Sequence, residues 1–195
     1  MWFYSKNLYI LIDMETIMQN PFLFGEKIYL RAAQRDDADC IALVENHPDP
    51  RETLFYAKPI SSEQIQERLA KQNGDPNTIL FTICSKATDK AVGQTAFVRI
   101  DWVGRMATFY IAIAEKENWS KGYGGEATRL MVDYGFNTLN LNRIQLHVAT
   151  TNEKAVKSYR RAGFQIEGRL RQAMYHHGNY EDFYVMGILR QEYQA

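Results

Sequence analysis

Three glycines within four positions, Gly122, Gly124 and Gly125, fall between a predicted strand and a predicted helix. Glycine lets backbone N–H groups approach a ligand, because no side chain stands in the way. The N-terminus of a helix adds unpaired N–H groups and the positive end of the helix dipole, and this combination binds phosphate. The spacing therefore predicts a cradle for a phosphate or pyrophosphate group. The structural alternative is a tight turn with a positive φ, although one turn does not need three glycines.

The run from Gly122 to Ala127 also matches the dinucleotide-binding pattern G-x-G-x-x-[GA]. That pattern is expected after the first strand of a fold, with an acidic residue at the end of the next strand. Here the turn lies in the middle of the chain, and the next strand ends at 148–151 in Val-Ala-Thr-Thr. The Gly-Lys-Ser/Thr sequence of a P-loop is also absent. These observations disfavour a nucleotide-dependent dehydrogenase and an NTPase.

The spacing of apolar residues predicts the elements that must position this turn. Strands are predicted at 27–31, 78–85, 91–101, 107–114, 143–149, 164–170 and 180–189. Helices are predicted at 36–46, at 61–72, from the glycine turn to Leu139, and at 152–162. The run 47–50, His-Pro-Asp-Pro, is predicted to end the first helix. Asn152 is the predicted N-cap of the last helix and Gly163 its left-handed stop. This order of elements indicates a mixed α+β sheet in one domain.

Length and composition limit the class of protein. With 195 residues, 46% apolar and 24% charged, the chain fits one globular domain with a short extension. Basic and acidic residues both number 23, so the net charge is zero, which disfavours a general nucleic-acid binder. The two cysteines, Cys40 and Cys84, form neither a disulfide scaffold nor a metal-binding cluster. We therefore expect a reducing, cytoplasmic location and no metal site.

The first 20 residues are predicted to be neither a targeting segment nor a membrane span. Polar residues at 5–7 interrupt their apolar run, no basic region precedes it, and it is too short to cross a bilayer. We predict an extension at 1–23 before a domain at 24–195. Two interpretations of the extension stay open: the native chain starts at Met14 or Met18, or an apolar arm packs on the domain or on a neighbouring subunit.

Two segments resemble the motifs of a known family. Residues 118–127, Asn-Trp-Ser-Lys-Gly-Tyr-Gly-Gly-Glu-Ala, resemble the acyl-CoA-binding motif of the GCN5-related N-acetyltransferases (GNAT), together with the helix that follows. Residues 141–164, which include Asn152 and Tyr159 and end in Ala-Gly-Phe, resemble the second motif of that family. One departure is Trp119, which stands where the family usually has Gln or Arg.

The resemblance covers 24–193 in the order of elements and 110–168 in specific residues. More narrowly, the chain is similar to the branch that contains the ribosomal-protein alanine/serine N-acetyltransferases and the spermidine N-acetyltransferases, and its ending at 178–189 is similar too. The implied fold is a mostly antiparallel twisted sheet of about seven strands, with a splay between the fourth and fifth, flanked by about four helices. Related enzymes are often dimers or larger, so the resemblance also implies a homo-oligomer.

The activity implied by the resemblance is that of an acetyl-CoA-dependent N-acetyltransferase. The acetyl group would pass directly to a primary amine of a polyamine-like small molecule or of a protein N-terminus, within a ternary complex. Such a transfer needs a base or a water chain to deprotonate the amine, donors for the oxyanion, and an acid for the departing CoA thiolate. The alternative function is a non-catalytic, regulatory module that binds acyl-CoA.

The resemblance also implies the residues of the site. Backbone N–H groups near Ile111 and Ile113 would bond the pantetheine or the carbonyl, and those of the glycine turn would hold the pyrophosphate. The full set implied for acetyl-CoA is Ile111, Ile113, Lys121, Gly122, Tyr123, Gly124, Gly125, Glu126, Asn152, Lys154, Ser158 and Tyr159. Tyr159 would protonate the thiolate, since a phenol with a pKa of about 10 can donate at neutral pH; its alternative is a core tyrosine. Asn152 is either a plain N-cap or a cap that also contacts CoA.

Several residues are candidates for the general base. Glu115, at the end of the strand before the glycine turn, is the best placed. The alternatives, each of which is also explained as a surface charge or a satisfied polar group, are Asp101, His147, His176 and Glu181.

The charges that sum to zero are unevenly distributed. Residues 142–172 hold seven basic and two acidic side chains, a surplus that suits the phosphates of CoA. Residues 1–75 hold eight basic and 12 acidic side chains. By the resemblance, the first two helices border the acceptor groove, and an acidic groove would favour a polyamine or a basic peptide. The alternative is a solvated acidic face.

Overall fold

The structure is a computed structural model that describes residues 20–54, 56–114, 116–176 and 178–194. Its strands are β1 (Leu23–Phe24), β2 (Ile28–Ala32), β3 (Ile79–Ser85), β4 (Ala91–Asp101), β5 (Met106–Ile113), β6 (Arg143–Ala149), β7 (Gln165–His176) and β8 (Asn179–Leu189). They form one sheet in the order β1-β2-β3-β4-β5-β6-β8-β7. β5 and β6 run parallel, and the other neighbours are antiparallel. The mostly antiparallel sheet predicted from the sequence is confirmed.

All seven predicted strands are present, and two differences stand out. β7 continues to His176, six residues beyond its predicted end. The additional strand β1 consists of Leu23 and Phe24 and pairs with β2. The predicted boundary between the extension and the domain falls between these two residues. Phe22 also stacks on Phe81, with ring centroids 5.6 Å apart. Met14 and Met18, the two candidate start positions, lie outside the described residues.

The helices are α1 (Ala38–Asn46), α2 (Pro48–Leu54), α3 (Ser62–Asn73), α4 (Tyr123–Asp133) and α5 (Glu153–Arg161). α4 continues as one π-helical turn at Tyr134–Thr138. The sequence did not predict α2, because its two prolines were interpreted only as a stop. The His-Pro-Asp-Pro run does end α1, but Pro48 also opens a new helix, since proline is tolerated in a first turn where its missing N–H is not needed.

The helices cover the two faces of the sheet. α4 and α5 pack on one face in a cluster that includes Phe97 and Met131, and α1 and α3 pack on the other in a cluster that includes Ala96 and Ile41. Ala96 and Phe97 are neighbours in β4, and successive side chains of a strand point to opposite faces. The sheet separates these two faces. Two ligands bound on opposite faces can therefore contact each other only through a break between strands.

Such a break lies between β5 and β6. The register joins them only from Met106–Thr108 to Arg143–Gln145, although β5 runs on to Ile113 and β6 to Ala149. Beyond Thr108, β5 is paired with β4 and β6 with β8. These strands are the fourth and fifth of the predicted seven, so the predicted splay is present. We call the opening beyond Thr108 the gap.

Candidate active site

The glycine turn forms the start of α4. Gly122 is the N-cap with φ +90°, and the first helical bond runs from the N–H of Glu126 to the carbonyl of Gly122. The N–H groups of Tyr123, Gly124 and Gly125 therefore stand ahead of the first bond of the helix. Of the three glycines in this turn, only Gly122 has a positive φ, the conformation that favours glycine.

Gly124 and Gly125 need another explanation. A Cβ at Gly124 would lie 3.9 Å from Cγ1 of Ile113, and one at Gly125 would lie 3.6 Å from Oγ of Ser158. Both are ordinary van der Waals distances, so the packing of the protein would accept alanine at either position. The two glycines instead leave the helix start uncovered, which fits a group that approaches the backbone closely. The start of α4 is thus open to a ligand, as the predicted cradle requires.

Basic side chains surround this cradle. Lys154 Nζ donates to Ser120 Oγ at 3.3 Å, so the start of α5 reaches across to the turn. Lys121 Nζ donates to Asn118 Oδ1 at 3.0 Å, and Lys27 Nζ donates to the carbonyl of Lys121 at 3.2 Å. Three ammonium groups near one helix N-terminus provide a positive potential that suits phosphate.

Two cradle residues use their side chains within the protein. The Glu126 carboxylate accepts the backbone N–H of Lys27 at 3.0 Å and 3.3 Å, and Glu126 is 8% exposed. The Tyr123 side chain is buried, and its hydroxyl lies 3.3 Å from Ser85 Oγ. The backbone N–H of Tyr123 therefore stays open at the start of α4, whereas the Glu126 side chain ties that start to Lys27.

The backbone of β5 faces the gap at alternate residues. The N–H of Ala114 donates to the carbonyl of Val92 at 2.9 Å, so the even-numbered residues of this segment bond to β4. The N–H groups of Ile111 and Ile113, which alternate with them, point toward the gap. Trp119, the departure from the family motif, donates its indole N–H to the carbonyl of Ile113 at 3.2 Å.

Tyr159 reaches the same region from α5. Its ring packs edge-on against Phe109 and Phe164, with centroids 6.3 Å and 6.0 Å away. No residue in the described ranges hydrogen-bonds its hydroxyl. Burial, and secondarily the electrostatic influence of Tyr110, raise the pKa of Tyr159 above the ordinary value of about 10. The ring is part of the core while the hydroxyl stays protonated and able to donate.

Asn152 begins α5 as predicted. Its Oδ1 accepts the N–H of Ala155 at 3.1 Å, so the side chain is an N-cap. One turn further on, Ser158 faces Gly125 of the cradle. The cap thereby fixes the helix that carries both Ser158 and Tyr159 toward the site.

The candidate bases are scattered. Glu115 lies outside the described residues. Asp101 accepts the N–H groups of Val103 and Gly104 at 3.0 Å and 2.8 Å, in the turn at the opposite end of β5 from the cradle. His147 is exposed on β6, and His176 and Glu181 lie in the β7–β8 hairpin. The structure does not bring these four alternatives together.

Sequence reasoning missed a polar group on the opposite face of the sheet. The hydroxyls of Tyr56 and Tyr110 are in contact, and Gln94 Nε2 donates to the Tyr110 hydroxyl at 3.4 Å. Burial raises the pKa of both tyrosines. Tyr110 lies in the part of β5 that borders the gap, next to Phe109, which contacts Tyr159. The signal in the sequence was a lone tyrosine hydroxyl in an apolar strand.

The model of the acetyltransferase (GNAT) domain family matches residues 27–165. The chain belongs to the GNAT acetyltransferase family. Its fold is the mixed α/β fold of that family, and its activity is acetyl-CoA-dependent N-acetyl transfer, as the sequence predicted. Acetyl-CoA is the cosubstrate.

This GNAT acetyltransferase is similar to enzymes that act on different amines. It is 32% identical over 169 residues to the spermidine N(1)-acetyltransferase of Vibrio cholerae, which covers 87% of this chain and 96% of that protein. It is 27% identical over 168 residues to the L-amino acid N-acetyltransferase AaaT of Escherichia coli, covering 84% and 99%. The crystal structure of the Vibrio cholerae enzyme with CoA and spermine matches with a TM-score of 0.79 and 31% identity, over 86% of this chain and 98% of that one.

Two further features of this GNAT acetyltransferase bear on its surroundings. Apart from positions 1–19, 55, 115, 177 and 195, which are not described, no helix has the length and apolar character that crossing a membrane requires. Within the same ranges, no three His, Cys, Asp or Glu side chains are grouped as a metal ion would need.

Proposed function

We propose that this GNAT acetyltransferase passes the acetyl group of acetyl-CoA directly to a primary amine, carried by a small molecule or a protein N-terminus, with Tyr159 as the acid. The observation that carries this proposal is the Tyr159 hydroxyl beside the gap, which a raised pKa keeps protonated and which no residue in the described ranges hydrogen-bonds. A phenol in this position can protonate a leaving thiolate, whereas a purely structural tyrosine would bond its hydroxyl to a neighbour.

The transfer proceeds in a ternary complex of enzyme, acetyl-CoA and amine. The neutral amine nitrogen attacks the thioester carbon, so that the C–N bond forms and the C–S bond breaks. The backbone N–H groups of Ile111 and Ile113 are the proposed donors to the carbonyl oxygen or the pantetheine. Tyr159 gives its proton to the CoA sulfur and regains one from solvent, while the amine loses one proton to a base.

The proposed site for the CoA pyrophosphate is the turn at 121–125. The backbone N–H groups at the start of α4 would bond the phosphate oxygens, and the uncovered faces of Gly124 and Gly125 admit them. Lys121, Lys154 and Ser158 are the proposed side-chain contacts. Asn152 would contribute through its cap, Tyr123 through its backbone, and Glu126 as an anchor.

Glu115 is the proposed general base, on its position between β5 and the cradle in the sequence. The spermidine N(1)-acetyltransferase supports a polyamine acceptor and the L-amino acid N-acetyltransferase supports an amino acid. A cytoplasmic location and a homo-oligomer are further parts of the proposal. The absence of a disulfide at Cys40 and Cys84 in the described residues suits the former, and the resemblance to multimeric relatives suits the latter.

The test is an assay of CoA thiol release with acetyl-CoA and an amine panel: spermidine, L-amino acids and peptides with free N-termini. We expect release with at least one amine, together with a product heavier by one acetyl group in mass spectrometry. Calorimetric binding of CoA without turnover of any amine would instead indicate the non-catalytic, regulatory module.

A further inference from the structure

A concavity of about 300 Å³ lies on the α1 and α2 side of the sheet, opposite α4 and α5. It is formed by the end of α1, by α2 and by residues 57–60, which lead toward α3. Its polar lining consists of Glu45, Asn46, Arg51 and Lys58. We call it the Arg51 pocket.

The acidic and amide groups of the Arg51 pocket are already engaged. Both oxygens of Glu45 contact Arg68, one of them at 3.0 Å from Nη1, and Glu45 is only 5% exposed. Asn46 donates to the carbonyl of Ile60 at 2.8 Å and accepts its N–H at 3.0 Å. Neither side chain is therefore available to hold a cationic ligand.

The basic groups of the Arg51 pocket are not neutralised. Arg51 uses its Nε to bond the carbonyl of Tyr56 at 3.0 Å, and its two Nη groups bond no other residue that the structure describes. Lys58 is exposed, and no carboxylate in the described ranges pairs with Arg51 or Lys58. Asp49 and Glu52, the acidic residues of α2, are not part of the lining. The pocket thus presents two positive charges.

Tyr56 connects the Arg51 pocket with the site of transfer. It comes directly before Ala57, which lines the pocket. Its hydroxyl contacts the hydroxyl of Tyr110, in the part of β5 that borders the gap. The side chain of Tyr110 points to the face opposite that of Phe109, which packs on Tyr159. An amine beside Tyr110 would therefore meet the thioester through the gap while another group of the same molecule occupied the pocket.

We propose that the Arg51 pocket binds an anionic group of the acceptor, so that the preferred acceptor is a small amine that carries a carboxylate. This inference rests on the proposed function and names its substrate class. Paired Nη groups and an ammonium are donors that suit a carboxylate, whereas both would repel a polyamine. The surplus of acidic residues in 1–75 does not contradict this, because Glu45 is the one acidic side chain of the pocket lining and Arg68 pairs with it.

The experiment compares matched acceptors with acetyl-CoA in excess. The pairs are L-amino acids and their carboxamides, which share a side chain and differ in the negative charge, and spermidine is the cationic comparison. Because the carboxamide also lowers the pKa of the α-amine, each rate is corrected for the neutral fraction of its amine. We expect kcat/KM to be roughly tenfold or more higher for the carboxylates, the size of one charge-assisted contact of about 1.4 kcal/mol. Equal rates with the carboxamides, or faster turnover of spermidine, would overturn the inference and leave N-acetyl transfer itself intact.

Variants locate the effect. Lys58→Gln and Arg51→Gln should each raise KM for the carboxylate several-fold without changing KM for acetyl-CoA, and Lys58→Glu should do so more strongly. Lys71→Gln, at the exposed end of α3, is the matched control and should change neither constant. If no amine is turned over, calorimetric titration of the L-amino acids and their carboxamides into the CoA-saturated protein tests whether the pocket binds the carboxylate. Carboxylate binding that Lys58→Glu abolishes supports the pocket, and carboxylate binding that is absent or unaffected by Lys58→Glu overturns it.

Discussion

The carboxylate of Glu126, in the first turn of α4, accepts the backbone N–H of Lys27, just ahead of β2, at 3.0 Å and 3.3 Å. The two residues are 99 positions apart in the sequence, so this contact ties the start of α4 to the segment ahead of β2. Gly25 makes room for it, because a Cβ there would lie 1.9 Å from Oε1 of Glu126. The cradle is thus held by the side chain of one of its own residues.

Glu126→Ala should therefore loosen the cradle. The variant leaves the N–H of Lys27 without its partner, at a cost of about 1–3 kcal/mol in the free energy of unfolding. We expect a lower Tm together with a higher KM for acetyl-CoA, and a largely unchanged kcat at saturation. Glu117→Ala, in the exposed turn before the cradle, is the matched control. A variant that keeps the wild-type KM would show that the anchor does not position the cradle.

Much of the fold was predictable because it depends on local patterns. Ser61 and Gln64 have the sequence spacing of a capping box at the start of the helix predicted at 61–72, and both of its hydrogen bonds are present in α3. The prediction at Pro48 was incomplete, because a proline that prevents α1 from continuing can also be the first residue of the next helix, α2. The direction of the Glu126 side chain could not be predicted, since its partner is distant in the sequence.

The polar group formed by Tyr56, Tyr110 and Gln94 was beyond prediction for the same reason. Tyr56 and Tyr110 are 54 positions apart, and Glu45 and Arg68 are 23 apart on different helices. Their pairing depends on how α1, α2 and α3 pack against β5. Local propensity carries no information about such packing, whereas the glycine turn and the helix after it are contiguous and were recognised.

Tyr159→Phe tests the proposed acid. Removing the hydroxyl should lower kcat roughly 10²–10⁴-fold, while the CoA dissociation constant stays within about twofold, because the ring keeps its contacts with Phe109 and Phe164. Stopped assays of CoA release and calorimetry measure the two quantities. Tyr175→Phe, on the exposed β7, is the control. Wild-type kcat in Tyr159→Phe would mean that another group protonates the thiolate.

The pH dependence of kcat offers a separate test of the same residue. Burial raises the pKa of Tyr159 above its usual value, and the acid works in its protonated form, so the raised pKa extends activity to higher pH. We therefore expect that deprotonation of Tyr159 does not lower kcat at any pH below about 10. The test is a profile of kcat measured from pH 6 to pH 10 for the wild type and for Tyr159→Phe. A decline that centres near pH 8 and disappears in Tyr159→Phe would contradict the assignment.

Gly124→Ala and Gly125→Ala should separate folding from binding. Neither position has a positive φ, and each added Cβ meets its neighbour at an ordinary distance, so alanine should leave the free energy of unfolding equal or raise it by up to about 1 kcal/mol. CoA affinity should fall about tenfold or more, because the methyl group occupies space proposed for the pyrophosphate. Gly168→Ala, where an added Cβ meets no atom within 4 Å, is the control. Unchanged affinity would place the phosphates elsewhere.

Asp37 controls stability at low pH. Burial alone would oppose its ionisation, but hydrogen bonds from Arg31, from the N–H of Gln34 and from Thr82 outweigh it and lower the pKa of the carboxyl. Because the folded pKa lies below the unfolded value of about 3.9, this contribution is complete above that value and is lost as pH falls through the folded pKa.

Asp37→Asn should therefore destabilise the protein most at neutral pH. The variant leaves the buried guanidinium of Arg31 without its counter-charge, which costs about 3–5 kcal/mol. Urea unfolding from pH 7 down to pH 2.5 should show the wild type and the variant beginning to converge below about pH 3.9, where the carboxyl of the unfolded wild type takes up a proton. The convergence continues as pH falls toward the lowered pKa of the folded carboxyl. Asp36→Asn, an exposed neighbour, should follow the wild type. A constant difference between wild type and Asp37→Asn at every pH would show that lost packing, rather than the lost charge, accounts for the destabilisation.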